Sequence, residues 1–157
     1  MEQKTDFLII GSGIAGLSFA LKVAEFGSVA LVTKKEVMDS NTNLAQGGIA
    51  SVFDQLDYFD VYIADTLASG DGLCNKDVVD LVVRNGPERI RELVSLGVNF
   101  SVGEKKCISD DLFDFDLGRE GGHSKNRIVH AQDMTGKELE SVLVEHVNNH
   151  DRITVFE

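Results

Sequence analysis

The sequence has few cysteines, one proline and no long apolar run, and histidine is also rare. Its two cysteines, Cys74 and Cys107, lie far apart and form no C-x-x-C pair, so neither a zinc site nor a redox dithiol is indicated. Reduced, packed thiols are the simpler expectation, although the sequence alone leaves a disulfide open. His146 and His150 have helical i, i+4 spacing but no third ligand, so we expect an exposed helix face and no metal site.

Basic residues are also scarce, with 15 Lys and Arg against 26 Asp and Glu and a net charge of −11. Nucleic acids and anionic lipids attract basic surfaces, so we expect neither a nucleic acid nor a membrane as a partner. The polar start of the chain does not fit a signal peptide, and the apolar runs are too short to cross a bilayer. These features predict a cytoplasmic protein whose 157 residues suffice for one domain.

The beginning of the chain has the pattern of a strand, a helix and a second strand. Residues 6–10 are almost entirely apolar, as in a parallel strand that is buried on both faces. Apolar residues recur at helical spacing over residues 17–24, and Gly27 is expected to end this helix with a positive φ. Val29–Val32 supplies the second strand. The pattern predicts an α/β fold, namely a Rossmann-like parallel sheet with helices on both faces.

The rest of the chain predicts a mixture of helices and short strands. Asn75 fits a helix N-cap, and Pro87 fits the first turn of a separate, following helix that Gly97 would end. Thr135 and Glu138 fit a capping box at the start of another helix. Apolar patterns indicate further segments at residues 49–53 and 60–68, short strands within residues 99–130, and a strand at residues 153–156. A strand at the very end suggests a truncated chain.

Three glycines separate the first strand from its helix in a G-x-G-x-x-G motif. Gly11 allows a tight turn, Gly13 allows the backbone to approach a diphosphate, and Gly16 allows the helix to pack closely on the strand. The motif alone is a weak signal, but the flanking strand and helix supply its usual context. Because amides at a helix start favour anions, the motif predicts a dinucleotide diphosphate held by Gly11, Ser12, Gly13, Ile14, Ala15 and Gly16.

The end of the second strand does not decide which dinucleotide is bound. The usual acidic ribose ligand is missing there, and Lys34 and Lys35 follow instead. These lysines suit either the 2′-phosphate of NADP or the adenosine of FAD. For Lys35, a solvated position in a loop is equally plausible.

A second glycine motif, A-Q-G-G-I, follows within a polar loop. Together with the first motif it resembles the fumarate reductase, succinate dehydrogenase and L-aspartate oxidase family of flavoproteins. In that family the segment lies along the isoalloxazine ring and the phosphates of FAD. The resemblance implies that FAD is contacted by Lys34 on the adenosine side and, in this loop, by Asn41, Thr42, Asn43, Leu44, Ala45, Gln46, Gly47 and Gly48.

A third motif, R-E-G-G-H-S, begins at Arg119, with Arg127 and His130 after it. It resembles the corresponding segment of L-aspartate oxidases. The resemblance implies that Glu120 faces the substrate and selects an amino acid over a plain dicarboxylate by pairing with the ammonium group. Asn41 stands where many relatives carry the histidine that bonds to the flavin, which implies non-covalent FAD.

Within the family, these features favour an L-aspartate oxidase, which forms iminoaspartate for quinolinate and NAD synthesis. The resemblance implies L-aspartate as substrate, fumarate or oxygen as acceptor, and a contact with quinolinate synthase. It covers only the amino-terminal part of the FAD-binding domain; the remainder, the capping domain, the C-terminal helical domain and the catalytic arginine are expected beyond residue 157. The chain by itself is therefore expected to be inactive. The alternatives are a fumarate reductase or succinate dehydrogenase flavoprotein subunit, or a non-catalytic nucleotide-binding module.

Overall fold

The structure is a computed structural model and describes residues 3–103, 114–132 and 134–157. The chain divides into two compact units: the first comprises Met1–Gln46, Leu96–Val98 and Met134–Glu157, and the second comprises Gly47–Ser95 and Asn99–Asp133. The elements, in chain order, are β1 (Phe7–Ile10), α1 (Ile14–Val23), β2 (Val29–Val32), β3 (Ile49–Ala50), α2 (Phe59–Ser69), α3 (Lys76–Ser95), β4 (Leu117–Gly118), β5 (Ile128–Val129), α4 (Thr135–Asn148) and β6 (Ile153–Phe156).

The first unit is built on a parallel sheet with strand order β1-β2-β6. Ile9, Leu31 and Val155 are register partners across the three strands. The predicted strand–helix–strand pattern is therefore confirmed, and so is the α/β fold with a parallel sheet. Because the strands are parallel, their carboxyl ends meet at one edge of the sheet, where ligands of such folds bind.

In the described residues, the helices cover one face of this sheet. Helices α1 and α4 pack against each other, α1 contacts β1 and β2, and α4 contacts β6. On the opposite face Leu8 and Ile10 are 62% and 82% exposed. The expectation of helices on both faces is thus not met within this part of the chain.

Gly27 does not end α1, contrary to the sequence prediction. The helix ends at Val23 with Ala24 as its C-cap, and Gly27 is not among the glycines with positive φ. A Cβ at Gly27 would instead come within 2.7 Å of an Asp6 carboxylate oxygen. That carboxylate accepts hydrogen bonds from the Ser28 amide and hydroxyl, so the glycine makes room for a side chain that fixes the start of β2.

The second unit combines a small antiparallel sheet, in the order β3-β5-β4, with helices α2 and α3, which pack together. The Asn75 side chain accepts hydrogen bonds from the Asp77 and Val78 amides, as predicted for the cap of α3. Pro87 does not begin a new helix but lies inside α3. It is buried on the same face as Val83 and Ile90, and we attribute the continuity of the helix to the packing of this face.

Helix α4 begins close to the predicted position. Thr135 is the first residue of α4 and Met134 is its N-cap, so the helix begins one residue earlier than the capping box implied. Cys74 is a free thiol that contacts the Thr66 carbonyl, whereas Cys107 lies outside the described residues. None of the helices in the described ranges is long and apolar enough to cross a membrane.

Candidate functional site

The first glycine motif forms the turn between β1 and α1. Gly11 has a φ of +108°, which favours glycine, and its amide donates to the Val32 carbonyl. A Cβ at Gly16 would run into the Gly11 carbonyl oxygen, so α1 can start this close to the turn only with glycine there. Gly13 is the N-cap, and the first turn of α1 contains no acidic side chain. The geometry therefore leaves a helix start that favours an anion.

A cleft of about 420 Å³ opens at the carboxyl ends of β1 and β2 in the first unit. Six of the predicted cofactor residues line it: Gly11, Ser12, Gly13, Lys34, Asn41 and Thr42. Ile14 and Gly16 lie in the first turn of α1 with Ala15, while Asn43, Leu44, Ala45 and Gln46 continue the loop without lining the cleft. Lys35 pairs with Asp39 at 2.7 Å, and both side chains are largely exposed. The structure thus places Lys34, but not Lys35, in the cleft.

The loop that forms the far wall of the cleft is tied to the glycine motif. The Thr42 hydroxyl accepts a hydrogen bond from the Ile14 amide at 3.0 Å, and the Ser40 hydroxyl accepts one from the Thr42 amide at the same distance. Gly136, at the start of α4, donates to the Ala45 carbonyl, and a Cβ at Gly136 would run into the Thr42 carbonyl oxygen. Gly136, a glycine outside the three sequence motifs, is therefore required for this loop.

Glu140 supports the same loop from α4, and sequence reasoning missed it. Its side chain is fully buried, and its Oε1 accepts a hydrogen bond from the Ser40 hydroxyl. Burial raises the pKa of the Glu140 carboxyl, and the hydrogen bond from Ser40 opposes that rise. Burying a carboxyl group away from water costs free energy unless the group is hydrogen-bonded. The hydrogen bond from Ser40 offsets part of this cost and holds the loop against α4.

In the second unit, the glycine pair and the third motif come together. A Cβ on Gly47 would lie 3.2 Å from an Oε1 of Glu120, whereas a Cβ on Gly48 would run into the Val129 carbonyl oxygen. The Glu120 carboxylate, predicted to face the substrate, thus lies beside Gly47, and the missing side chain at Gly48 allows β3 to approach β5. Glu120 is exposed.

Arg127, which the sequence analysis noted without a role, is the largest fully buried side chain among the described residues. Its Nε and Nη2 donate to the two oxygens of Asp57 at 2.5 and 2.9 Å, and its Nη1 donates to Asp65 at 2.6 Å. The Tyr62 ring stacks with the guanidinium at 4.7 Å. Burial lowers the pKa of Arg127, but the two carboxylates outweigh this effect and raise it. The guanidinium therefore stays charged.

The two histidines considered as metal ligands are engaged elsewhere. His146 Nε2 contacts the Leu96 carbonyl oxygen at 2.8 Å, and His150 Nδ1 accepts from the Arg152 amide. Within residues 3–103, 114–132 and 134–157, no group of three or more His, Cys, Asp or Glu side chains is arranged to hold a metal ion.

Comparison with known proteins now identifies the cofactor. A model of the FAD binding domain matches residues 6–157. The chain belongs to this FAD-binding family. The glycine-lined cleft fits the FAD diphosphate, because its backbone is open at Gly11, where a Cβ would meet nothing within 4 Å.

The chain is similar to curated L-aspartate oxidases and to a solved fumarate reductase. The chain is 49% identical over 152 residues to L-aspartate oxidase 2-a, chloroplastic, from Nicotiana tabacum, covering 97% of this chain and 22% of that protein. It is 41% identical over 156 residues to L-aspartate oxidase from Vibrio cholerae, covering 99% and 29%. A solved variant of E. coli quinol fumarate reductase superposes with a TM-score of 0.85 at 32% identity, covering 96% of this chain and 25% of that one. The chain thus spans about a quarter of the length of these proteins.

Proposed function

We propose that the full-length protein is an L-aspartate oxidase, which converts L-aspartate to iminoaspartate with oxygen or fumarate as the electron acceptor. The observation that carries the proposal is the exposed Glu120 carboxylate beside Gly47. Gly47 belongs to the loop predicted to follow the flavin, so this carboxylate would stand beside the substrate's reacting end. The similarity to L-aspartate oxidases along nearly the whole chain supports the same conclusion.

The residues of the first unit would hold FAD. The diphosphate would lie against Gly11, Ser12 and Gly13 at the start of α1, and Lys34 would contact the adenosine side of the cleft. The loop from Asn41 to Gly48 would follow the flavin. When bound, FAD supplies the acceptor for the hydride that leaves the substrate Cα. Asn41 has an amide in place of a nucleophilic imidazole, which supports non-covalent binding.

Glu120 would give the enzyme its preference for an amino acid. A carboxylate at this position attracts the ammonium group of L-aspartate. Succinate has a hydrogen in place of the ammonium, so the carboxylate adds no binding energy for it. A charge-assisted hydrogen bond of this kind is worth roughly 1.5–3 kcal/mol, or about a tenfold to hundredfold preference.

The same proposal includes the wider setting of the protein. The exposed Leu8 and Ile10 support further layers of the FAD-binding domain beyond this chain, because parallel sheets are normally covered on both faces. A capping domain and a C-terminal helical domain would complete the enzyme, which we place in the cytoplasm. Its product, iminoaspartate, would be used for quinolinate and NAD synthesis, and the enzyme would contact quinolinate synthase.

The test compares two substrates on the full-length protein under anaerobic conditions. L-aspartate should bleach the flavin absorbance and succinate should not. Glu120→Gln should raise KM for L-aspartate at least about tenfold. Glu145→Gln, which changes an exposed carboxylate on α4, should leave KM unchanged.

Three outcomes would contradict the proposal. Bleaching by succinate alone would make the protein a fumarate reductase or succinate dehydrogenase flavoprotein, the alternative that the superposition on quinol fumarate reductase favours. No bleaching by either substrate would leave a nucleotide-binding module. Release of NADP instead of FAD on heating would end the flavoenzyme assignment altogether.

A further inference from the structure

Helix α2 presents one face to the loop that carries Glu120. Tyr62, Asp65 and Ser69 are spaced by three and four residues, so they lie on the same side of the helix. The loop, here the selectivity loop, comprises Glu120, Gly121, Gly122, His123 and Ser124. All of these residues belong to the second unit.

The contact between Asp65 and the selectivity loop is a pair of hydrogen bonds. One carboxylate oxygen of Asp65, Oδ2, accepts from both the amide and the hydroxyl of Ser124, at 2.9 and 2.7 Å. Burial raises the pKa of the Asp65 carboxyl, but the hydrogen bonds from Ser124 and Arg127 outweigh burial and lower it to about 2. Asp65 is therefore ionised at neutral pH, which strengthens the bonds it accepts.

Two further contacts fix the middle of the selectivity loop. The Tyr62 ring meets the His123 ring edge to face at 5.4 Å, and Gly122 has a φ of +84° close to Ser69. The His123 amide donates to the Glu120 carbonyl at 3.3 Å, which closes the turn behind Glu120. The position of the Glu120 backbone thus depends on the surface of α2.

The buried arginine does not account for Asp65. Asp57 binds Arg127 through both of its oxygens and is itself fully buried, so it already balances the arginine charge. Asp65 adds a second negative charge to a single guanidinium, and the oxygen that meets Arg127 is the one that holds Ser124. Charge balance alone would not require it, whereas the selectivity loop does.

We propose that Asp65 is a positioning residue for substrate selection: by holding Ser124, it keeps the Glu120 carboxylate beside Gly47. The inference rests on the proposed function, because it assigns Glu120 to the substrate ammonium. Without the Asp65 carboxylate, Ser124 loses its ionised hydrogen-bond acceptor. The conformation in which Glu120 can bind the ammonium group is then less populated. The effect falls on recognition of L-aspartate and spares dicarboxylates that lack the ammonium.

The experiment uses the full-length enzyme with Asp65→Asn, which keeps the shape of the side chain and removes its charge. We expect KM for L-aspartate to rise about tenfold, the size of one lost charge-assisted hydrogen bond, with kcat within twofold of the parent. The inhibition constant for succinate should not change. Asp60→Asn is the matched control, since it removes an exposed aspartate of α2 that pairs with Arg84 instead of the selectivity loop.

A second variant keeps the test decisive if Asp65→Asn does not fold. Ser124→Ala removes one of the two hydrogen bonds to Asp65 and leaves the amide bond, so KM for L-aspartate should rise by about two- to fivefold at normal FAD content. An unchanged KM in this variant, or in a folded Asp65→Asn protein, would overturn the inference. Equal losses for L-aspartate and succinate would overturn it too, because they would indicate a merely structural role.

The Glu120→Gln variant separates this inference from the proposed function. If Glu120→Gln loses its preference for L-aspartate while Asp65→Asn keeps it, only the inference fails. If Glu120→Gln keeps its preference, the role of Glu120 fails and the inference fails with it. If the parent does not oxidise L-aspartate at all, the proposed function itself is wrong.

Discussion

Replacing Arg127 by methionine should destabilise the protein strongly, because it breaks a buried ion pair. Methionine fills much of the same space but removes three charge-assisted hydrogen bonds and leaves the Asp57 carboxylate fully buried without its cation. Removing one partner of a buried ion pair costs about 3–5 kcal/mol. Because domains are typically stable by only about 5–15 kcal/mol, the loss should be visible as a large fall in the urea midpoint.

The assay is urea unfolding of the full-length protein, followed by circular dichroism and by flavin fluorescence. Arg127→Lys should fall between the parent and the methionine variant, because lysine keeps the charge but cannot bind both Asp57 oxygens in a fork. Combining Arg127→Met with Asp57→Asn should recover about 1–3 kcal/mol, since the amide removes the unpaired charge at position 57. A cost below about 1 kcal/mol for Arg127→Met, or a double variant no more stable than the single one, would refute this reasoning.

Two further predictions concern the first unit. Gly16→Ala should weaken FAD binding at least tenfold in a titration of the apoprotein, because its Cβ would run into the Gly11 carbonyl oxygen, while Ser18→Ala on the same helix should bind normally. Burial raises the pKa of Glu140 above its ordinary 4.5, so its contribution to stability is full below pH 4.5 and is lost as the pH rises through the raised value. Glu140→Gln, which cannot ionise, should therefore gain urea resistance over the parent at pH 7 relative to pH 4; an equal difference at both pH values would contradict the pKa direction.

Local signals in the sequence were sufficient for the parts of the fold that depend on neighbours in the chain. The apolar run before Gly11 and the run at Val29–Val32 predicted two parallel strands, and the glycine spacing predicted the turn between β1 and α1. Asn75 caps α3 through the side-chain hydrogen bonds expected of that residue type. In each case the sequence signal itself spans only a few residues.

Proline and glycine were misread where tertiary packing decided the outcome. Pro87 usually begins a helix because it lacks an amide hydrogen, yet here its ring lies on the buried face of α3 between Val83 and Ile90. Gly27 usually ends a helix through a positive φ, yet here it is needed because the Asp6 side chain occupies the space of a Cβ. Local preferences of proline and glycine do not show that the Pro87 ring packs on a buried helix face. They also do not show that Asp6, 21 positions earlier, lies against Gly27.

The buried charges are a different case, because part of their signal was present. Glu140 lies directly after Leu139 and three residues before Leu143 on α4, so helical spacing alone places it on the buried face. A charged residue on such a face indicates a partner elsewhere in the chain, and here that partner is Ser40, which lines the cleft. Arg127 directly precedes the buried strand β5, and its partners lie 62 and 70 positions earlier. The sequence could thus identify residues that need a partner, but only the fold could show that these partners support the two loops that we propose for cofactor and substrate binding.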